Sequence, residues 1–224
     1  NKVKNTIDNI RNNIDNNFKI WYKENLLGGF MNKNLLINNL FEVNTAHSKL
    51  FRNIILVVSG VLFLSVMAQF SVNLPFTPIP ITGQTLAVFL IALVYGRKLA
   101  TTTLVSYIAA GSMGAPIFSG GKFGFPFLLP TGGYIIGFLL IAIVCGYLSE
   151  KGFTKSYSKL FLTIIIGEII LYACGLIQLS LFLPNKNVFA LGLYPFIVGD
   201  SIKAILMVTI LPNVWKLIKN EEMK

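Results

Sequence analysis

The chain contains 224 residues, of which 54% are hydrophobic and only 12% are charged, and its formal net charge is +10. Its mean hydropathy is +0.68. Because about a quarter of the residues in an ordinary soluble domain are charged, the low charged fraction excludes such a domain. The composition therefore indicates an integral membrane protein whose solvent is the lipid bilayer. The net positive charge does not require a nucleic acid partner, since lysines beside anionic lipid headgroups account for most of it.

The first 48 residues form a tail that is rich in Asn. Its apolar residues recur at steps of three and four, the spacing of one helix face; they are Val3, Ile7, Ile10, Ile14, Phe18 and Trp21. A helix at the membrane interface, a helix docked on a partner and an unstructured tail all remain open. We predict a cytoplasmic tail over residues 1–48 and a membrane domain over residues 49–224.

Apolar stretches follow one another through the membrane domain. A hydrocarbon core of about 30 Å requires about 20 helical residues, and residues 53–72, 132–148 and 160–183 are long enough to cross it. A fourth stretch, residues 191–211, is interrupted by Pro195. Together these stretches predict an all-α membrane protein.

Two shorter apolar stretches, residues 84–95 and 101–110, lie between the first two clear spans. They are either two short crossing helices completed by the neighbouring Pro-rich and Gly-rich segments, or a re-entrant hairpin, which lipid tolerates only where protein buries the backbone. We favour two crossings, which gives a six-helix transmembrane bundle with both termini on one side.

The distribution of basic residues between the loops agrees with an even number of crossings. The loops opposite the termini contain only Lys122 and Lys186. The connections on the side of the termini contain Arg97, Lys98, Lys151 and Lys155. The positive-inside rule therefore predicts a multi-pass protein of the cell membrane with both termini in the cytoplasm.

Three ionisable residues lie inside predicted spans, where each costs on the order of 3 kcal/mol at a helix centre. Asp200 and Lys203 are three residues apart and share one helix face. They form either a structural ion pair or a polar clamp for a small ligand. Glu168 shares a face with Tyr172 one turn later, and it either contributes to such a site or neutralises Lys203 or a neighbouring helix.

The segment 111–134 contains seven glycines, three prolines and four phenylalanines in 24 residues. We predict an extracytoplasmic loop that lies over or into the bundle, with aromatic side chains supplying apolar contacts. Lys122 in this loop is either an ordinary solvated lysine or a cation for an anionic ligand group. Residues 74–84, which contain three prolines, form either a stiff connector or a cavity wall with free carbonyl groups and Gln84.

Motifs for nucleotides and metals do not emerge from the sequence. The string GGK is not a Walker A loop, because Pro116 replaces its first glycine and Phe123 replaces its Ser or Thr. Cys145 and Cys174 lack metal-ligand spacing and are interpreted as buried apolar residues. We therefore expect no cofactor and no metal, and energy for any transport must come from elsewhere.

Four strings occur in a characteristic order: FTPIPITGQTLAVFL, GAPIFSGGKFG, PTGGYIIGF and GDSIKAIL. Over about residues 55–212 the chain resembles the BioY family, the biotin-specific substrate subunits (S components) of energy-coupling factor (ECF) transporters. The resemblance implies a six-helix bundle with high-affinity biotin binding near its extracytoplasmic face. It also implies a transmembrane coupling subunit and two cytoplasmic ATPase subunits as partners.

The resemblance further implies roles for single residues. Asp200 and Lys203 would hold the ureido ring of biotin, and Lys122 would meet the valerate carboxylate. Further contacts that the resemblance suggests are Gly120, Gly121, Tyr134 and Gln84. Glu168 and Tyr172 join the expected ligand-binding residues because of the helix face that they share. The small residues to which the coupling subunit packs in the family are only partly present on the first helix, as Ser59, Gly60, Ser65 and Ala68.

Three other functions are alternatives to biotin capture. The first is an S component for another small carboxylated vitamin or metabolite. The second is an intramembrane enzyme that uses Glu168 or Asp200 as an acid or base, and the third is a structural membrane scaffold. The enzyme lacks a nucleophile–base pair, a metal cluster and a cofactor motif, so we expect a transport protein and not an enzyme.

Overall fold

The computed structural model describes residues 34–40 and 46–221, so the amphipathic pattern of residues 3–21 lies outside the described residues. Nearly all regular structure in this part is helical, as predicted. The helices are α1 (Leu36–Leu40), α2 (Ala46–Gln69), α3 (Gln84–Ser112), α4 (Gly132–Glu150), α5 (Tyr157–Phe182), α6 (Val188–Gly192) and α7 (Tyr194–Glu221). The two-residue strands β1 (Ser71–Val72) and β2 (Ile81–Thr82) form one antiparallel pair between α2 and α3.

Five helical stretches of the described chain are long and apolar enough to cross a membrane. They are α2, α3, α4, α5 and the stretch that contains α6 and α7. Pro195 does not interrupt a helix, because it is the second residue of α7. At that position its missing N–H removes no helical hydrogen bond. The break in this stretch comes earlier, at the end of α6.

Helix α3 reverses direction at Gly96. The side-chain amide of Gln84 lies 2.8 Å from the hydroxyl oxygen of Tyr107, which is 23 residues later. A straight helix would separate these residues by about 34 Å. Gly96 has φ = 77° and ψ = 175°, a region that essentially only glycine occupies. The sequence therefore placed the turn correctly, while the count of six crossings stays a prediction.

Helix α4 packs tightly against this turn and against α5. A Cβ atom on Gly146 would lie 2.7 Å from the backbone of Arg97, so only glycine permits this approach. The core between these helices is apolar and fully buried, and its largest side chains include Phe89, Leu104, Ile141 and Ile164. The first arm of α3 is thereby fixed in the centre of the bundle.

Helix α2 lies at the edge of the bundle and exposes a broad apolar face, which includes Leu62 and Val66. Two of its small residues, Gly60 and Ala68, point the other way. Ala68 is fully buried, and a Cβ atom on Gly60 would lie 2.7 Å from Cγ2 of Thr103 on α3. These two small residues therefore serve packing inside the bundle.

The described part of the predicted tail packs on the membrane domain. Leu35 and Ile37 are buried against Leu56 of α2 and Leu99 of α3. A Cβ atom on Gly96 would lie 2.6 Å from a methyl group of Leu35, so this segment covers the α3 turn. The domain boundary at residue 48 itself stays a prediction.

One end of the bundle gathers basic side chains over aromatic rings, and we call it the basic end. The pairs are Arg97 and Lys151 over Tyr147, Lys155 over Trp215, and Lys216 over Tyr157. Asp200 precedes Trp215 on α7 by about 22 Å of helix. The intramembrane acid therefore lies toward the opposite end, together with the loop that follows α3.

Candidate ligand-binding site

A cavity opens among the helices at the end opposite the basic end. It contains about 700 Å³ of space, counting the solvent in its open mouth. Its walls are mainly apolar, as such sites usually are. The apolar residues that line it include Ile79, Phe118, Ile135, Phe138, Leu171 and Phe196.

The acid and the base of α7 both line this cavity. Nζ of Lys203 lies 2.8 Å from Oδ1 of Asp200, and the Asp200 residue is only 8% exposed. The same ammonium group donates a second hydrogen bond to the backbone carbonyl of Thr82 at 2.9 Å. Because Thr82 belongs to β2, the short strand pair brings a backbone acceptor into the bundle.

These groups keep unused hydrogen-bonding capacity. An ammonium group has three donors, and the described residues occupy two of those of Lys203. A carboxylate accepts about four hydrogen bonds, and Asp200 receives one from Lys203 and one from the hydroxyl of Tyr172. The pair can therefore offer one donor and two acceptor positions to a ligand.

Tyr172 and Glu168 share a face of α5, but they have different surroundings. Tyr172 lines the cavity and holds Oδ2 of Asp200. Glu168 does not line the cavity, although it lies within electrostatic range of Asp200 and Lys203. Its Oε2 atom is buried without a hydrogen-bond partner among the described residues.

Lys122 is an exposed residue that also lines the cavity. It is held by a tight turn in which the backbone N–H of Phe118 donates to the carbonyl of Lys122 at 3.0 Å. The turn requires Gly120 and Gly121, whose φ values are 70° and 69°. Neither glycine lines the cavity, and the N–H of Gly121 donates to Oε1 of Gln69 at 3.1 Å.

The loop between α3 and α4 is tied to the helices by glutamine side chains. Nε2 of Gln178 on α5 donates to the carbonyls of Pro126 and Leu129 at 3.0 and 2.7 Å. Of the four phenylalanines in this loop, Phe118 alone is buried in the cavity wall, while Phe123, Phe125 and Phe127 are exposed. The expected aromatic contact from the loop is thus made by one ring.

Tyr134 and Gln84 line the cavity as well. The hydroxyl of Tyr134 donates to the carbonyl of Gly192 at 2.7 Å and so ties α4 to α6. Its ring lies against Gly175 of α5, where a Cβ atom would be 2.4 Å from the ring carbons. The Nε2 atom of Gln84 donates to the hydroxyl of Tyr107 at 2.8 Å.

The structure therefore brings six of the nine predicted site residues to one cavity, namely Gln84, Lys122, Tyr134, Tyr172, Asp200 and Lys203. Gly120, Gly121 and Glu168 lie beside it. Sequence reasoning missed Tyr107, Gln178 and the carbonyl of Thr82. Polar side chains inside apolar runs were the available signal for Tyr107 and Gln178. Among the described residues no group of three or more His, Cys, Asp or Glu could hold a metal ion.

The helices define a multi-pass membrane protein, and the cavity is its candidate ligand-binding site. Comparison with known proteins gives the family. Residues 36–220 match the model of the BioY family, which extends beyond the region indicated by the sequence strings. The chain belongs to the BioY family.

Relatives of this family align with about two thirds or more of the chain. It is 33% identical to the biotin transporter BioY of Thermotoga maritima, over 72% of this chain and 96% of the relative. It is 36% identical to the probable biotin transporter BioY of Pyrococcus horikoshii, over 68% of this chain and 90% of the relative. A crystal structure of the S-component for biotin from an ECF-type ABC transporter matches with a TM-score of 0.67 and 27% identity, over 78% of this chain and 95% of that chain.

Proposed function

We propose that this chain captures biotin in the cavity between its helices and is the substrate-specific S component of an ECF-type vitamin importer. The observation that carries the proposal is the buried Asp200–Lys203 pair in the cavity wall of a BioY family member. Family membership makes the chain a transport protein and not an enzyme, with biotin as cargo and no cofactor.

The chemistry of the pair fits a cyclic urea. The ureido ring of biotin presents two N–H donors and one carbonyl acceptor. Asp200 has acceptor positions for the N–H groups, and Lys203 has a donor for the carbonyl. Because both residues are nearly buried, these charge-assisted bonds form in a water-poor environment, where they are stronger than at the surface.

The other end of biotin is a carboxylate on a flexible apolar chain. Lys122 is the cation that we assign to it, because this side chain lines the same cavity from the exposed loop. A lysine acts as a point charge and lacks the bidentate geometry of arginine. The phenyl rings and aliphatic side chains of the wall suit the apolar part of the molecule between these two ends.

Transport requires energy from partner subunits, since the sequence carries no nucleotide-binding signature. We propose a transmembrane coupling subunit and two cytoplasmic ATPase subunits as these partners. We propose six crossings with both termini in the cytoplasm. The basic end then faces anionic lipid on the inner side of the cell membrane, as the positive-inside rule expects. The cavity then opens to the outside.

Equilibrium binding of radiolabelled biotin to the purified, detergent-solubilised chain tests the proposal. We expect saturable high-affinity binding that unlabelled biotin displaces. Competition with other carboxylated vitamins separates biotin capture from an S component for a different metabolite. Saturable binding of such a competitor, together with no binding of biotin, would replace biotin as the ligand, and no saturable ligand at all would favour a scaffold.

A further inference from the structure

A buried hydrogen-bond chain links the cavity wall to the loop that carries Lys122. Nε2 of Gln84 donates to the hydroxyl of Tyr107 at 2.8 Å, and this hydroxyl donates to the carbonyl of Ile117 at 2.9 Å. Tyr107 is 0% exposed and does not line the cavity. Tyr107 therefore cannot touch a ligand. It contacts Gln84, which lines the cavity, and Ile117 in the loop that carries Lys122, which also lines the cavity.

The direction of this chain follows from donor and acceptor chemistry. The carbonyl of Ile117 can only accept, so the single proton of the Tyr107 hydroxyl is used for that bond. The hydroxyl oxygen must then accept from Gln84, and only the NH₂ group of the amide can donate. The amide of Gln84 is therefore locked with its nitrogen toward Tyr107.

The opposite side of the amide is its oxygen. Gln84 lines the cavity, and no described residue donates a hydrogen bond to its Oε1 atom. A free amide would present oxygen or nitrogen with similar ease, because the two groups have nearly the same shape. With Tyr107 in place, Gln84 adds a neutral acceptor to the acceptor positions of Asp200.

We infer that Tyr107 is a positioning residue that fixes Gln84 as a hydrogen-bond acceptor for an N–H group of the ligand. The inference rests on the proposed function. It adds to that function a second acceptor for a ligand with two N–H donors. Tyr107 is suited to this role, because its ring is also held in place by an edge contact with Phe118, at 5.4 Å between centroids.

A double-mutant cycle of Tyr107→Phe and Gln84→Met tests the inference through biotin affinity. Phe keeps the ring and its contact with Phe118 but removes the hydroxyl group, and Met keeps the length of Gln without the acceptor. We expect Tyr107→Phe to weaken binding by about two- to tenfold, the factor for one hydrogen bond between neutral groups. We expect it to have no further effect in the Gln84→Met background.

Two outcomes of this cycle overturn the inference. One is unchanged affinity in a folded Tyr107→Phe protein. The other is the same loss in both backgrounds, since the hydroxyl would then act independently of Gln84. Tyr95→Phe is the matched control, because it also removes a tyrosine hydroxyl from α3. This hydroxyl lies 3.5 Å from Oγ of Ser59, and Tyr95 does not line the cavity. Its biotin affinity should equal that of the unsubstituted chain.

A second measurement remains available if Tyr107→Phe does not fold. Two biotin analogues, each with one ureido nitrogen methylated, report the contact of each N–H separately. In the unsubstituted chain both should bind more weakly than biotin, and Gln84→Met should abolish this penalty for one of them. An undiminished penalty for both would refute Gln84 as the acceptor. Failure of the unsubstituted chain to bind biotin would instead refute the proposed function.

Discussion

The hydroxyl group of Tyr172 on α5 donates a hydrogen bond to Oδ2 of Asp200 on α7. The other carboxylate oxygen, Oδ1, accepts from Nζ of Lys203 at 2.8 Å. Two helices thus hold both oxygens of one buried acid, and this fixes the plane of the carboxylate at the cavity wall. The orientation of the acid is set before a ligand arrives, which lowers the ordering cost of binding.

Replacing Asp200 with Asn should weaken biotin binding strongly. The substitution removes a charged acceptor and leaves the partly buried Lys203 without its counter-charge. We expect a loss of about 1.5–3 kcal/mol, or about 10- to 150-fold in Kd. Equilibrium binding checks this, with Ser201→Ala at the exposed neighbouring position as the control. Unchanged affinity in a folded Asp200→Asn protein would remove this residue from the site.

Replacing Tyr172 with Phe should weaken biotin binding less than Asp200→Asn does. Asp200 keeps the bond from Lys203 but loses the donor on Oδ2, so its carboxylate can rotate. We expect a loss of about three- to tenfold in Kd. The loss should disappear in an Asp200→Asn background, because both changes act on one contact. Tyr157→Phe, at the basic end of the same helix, is the control, and an additive effect would contradict the prediction.

Lys122→Ala should affect ligands according to their charge. The lysine is exposed, so its attraction to a carboxylate is worth about 0.2–1 kcal/mol, or up to about fivefold in Kd. We expect this loss for biotin and none for biotin amide, whose end is neutral. Lys122→Arg should restore binding, and the exposed Lys186→Ala serves as the control. An equal loss for both ligands would show that Lys122 acts on the fold of the loop.

Gly175→Ala should lower both stability and affinity. The added Cβ atom would lie 2.4 Å from ring carbons of Tyr134 and would displace a side chain that lines the cavity. Overpacking of this kind costs about 1–3 kcal/mol. Thermal unfolding and biotin binding measure the two effects. Gly199→Ala is the control, since a Cβ atom there meets nothing within 4 Å. Equal unfolding temperatures for the two variants would contradict the packing argument.

The orientation of the chain can be tested with single cysteines. In a Cys145→Ala, Cys174→Ala background, Lys186→Cys should react with a membrane-impermeant maleimide on intact cells. Ser158→Cys should react only after the membrane is permeabilised. Both positions are exposed, Ser158 in the first turn of α5 and Lys186 in the loop between α5 and α6, so burial does not limit labelling. The reverse pattern would place the basic end outside the cell and would contradict the positive-inside assignment.

Much of the fold followed from the sequence, because a bilayer leaves few choices for an apolar run of about 20 residues. α2, α4 and α5 overlap the predicted spans 53–72, 132–148 and 160–183, and their ends differ from the predicted ones by up to seven residues. Asp200 and Lys203 were placed on one face because helical spacing is a local property. The order of these elements along the chain also matched the expected bundle.

Other features depend on contacts that the sequence does not encode locally. Tyr107 meets Gln84 only because the chain reverses at Gly96, and Gln178 reaches Pro126 across 52 positions of sequence. The inward direction of Gly60 depends on the rotation of α2 about its axis. For the same reason helical spacing could pair Glu168 with Tyr172 but could not tell that only the tyrosine lines the cavity.

Glu150 joins two distant parts of the chain, at Arg97 and Asn34, at the basic end. Its carboxylate accepts the backbone N–H of Arg97 at 2.9 Å, and its own carbonyl accepts from Nδ2 of Asn34 at 3.1 Å. Oδ1 of Asn34 in turn accepts from Nζ of Lys155 at 2.8 Å. Hydrogen bonds thus hold the basic end together, whereas loops form the rim of the cavity. Hydrogen bonds between parts of the chain that are far apart in sequence therefore stabilise the end of the bundle that lies opposite the cavity.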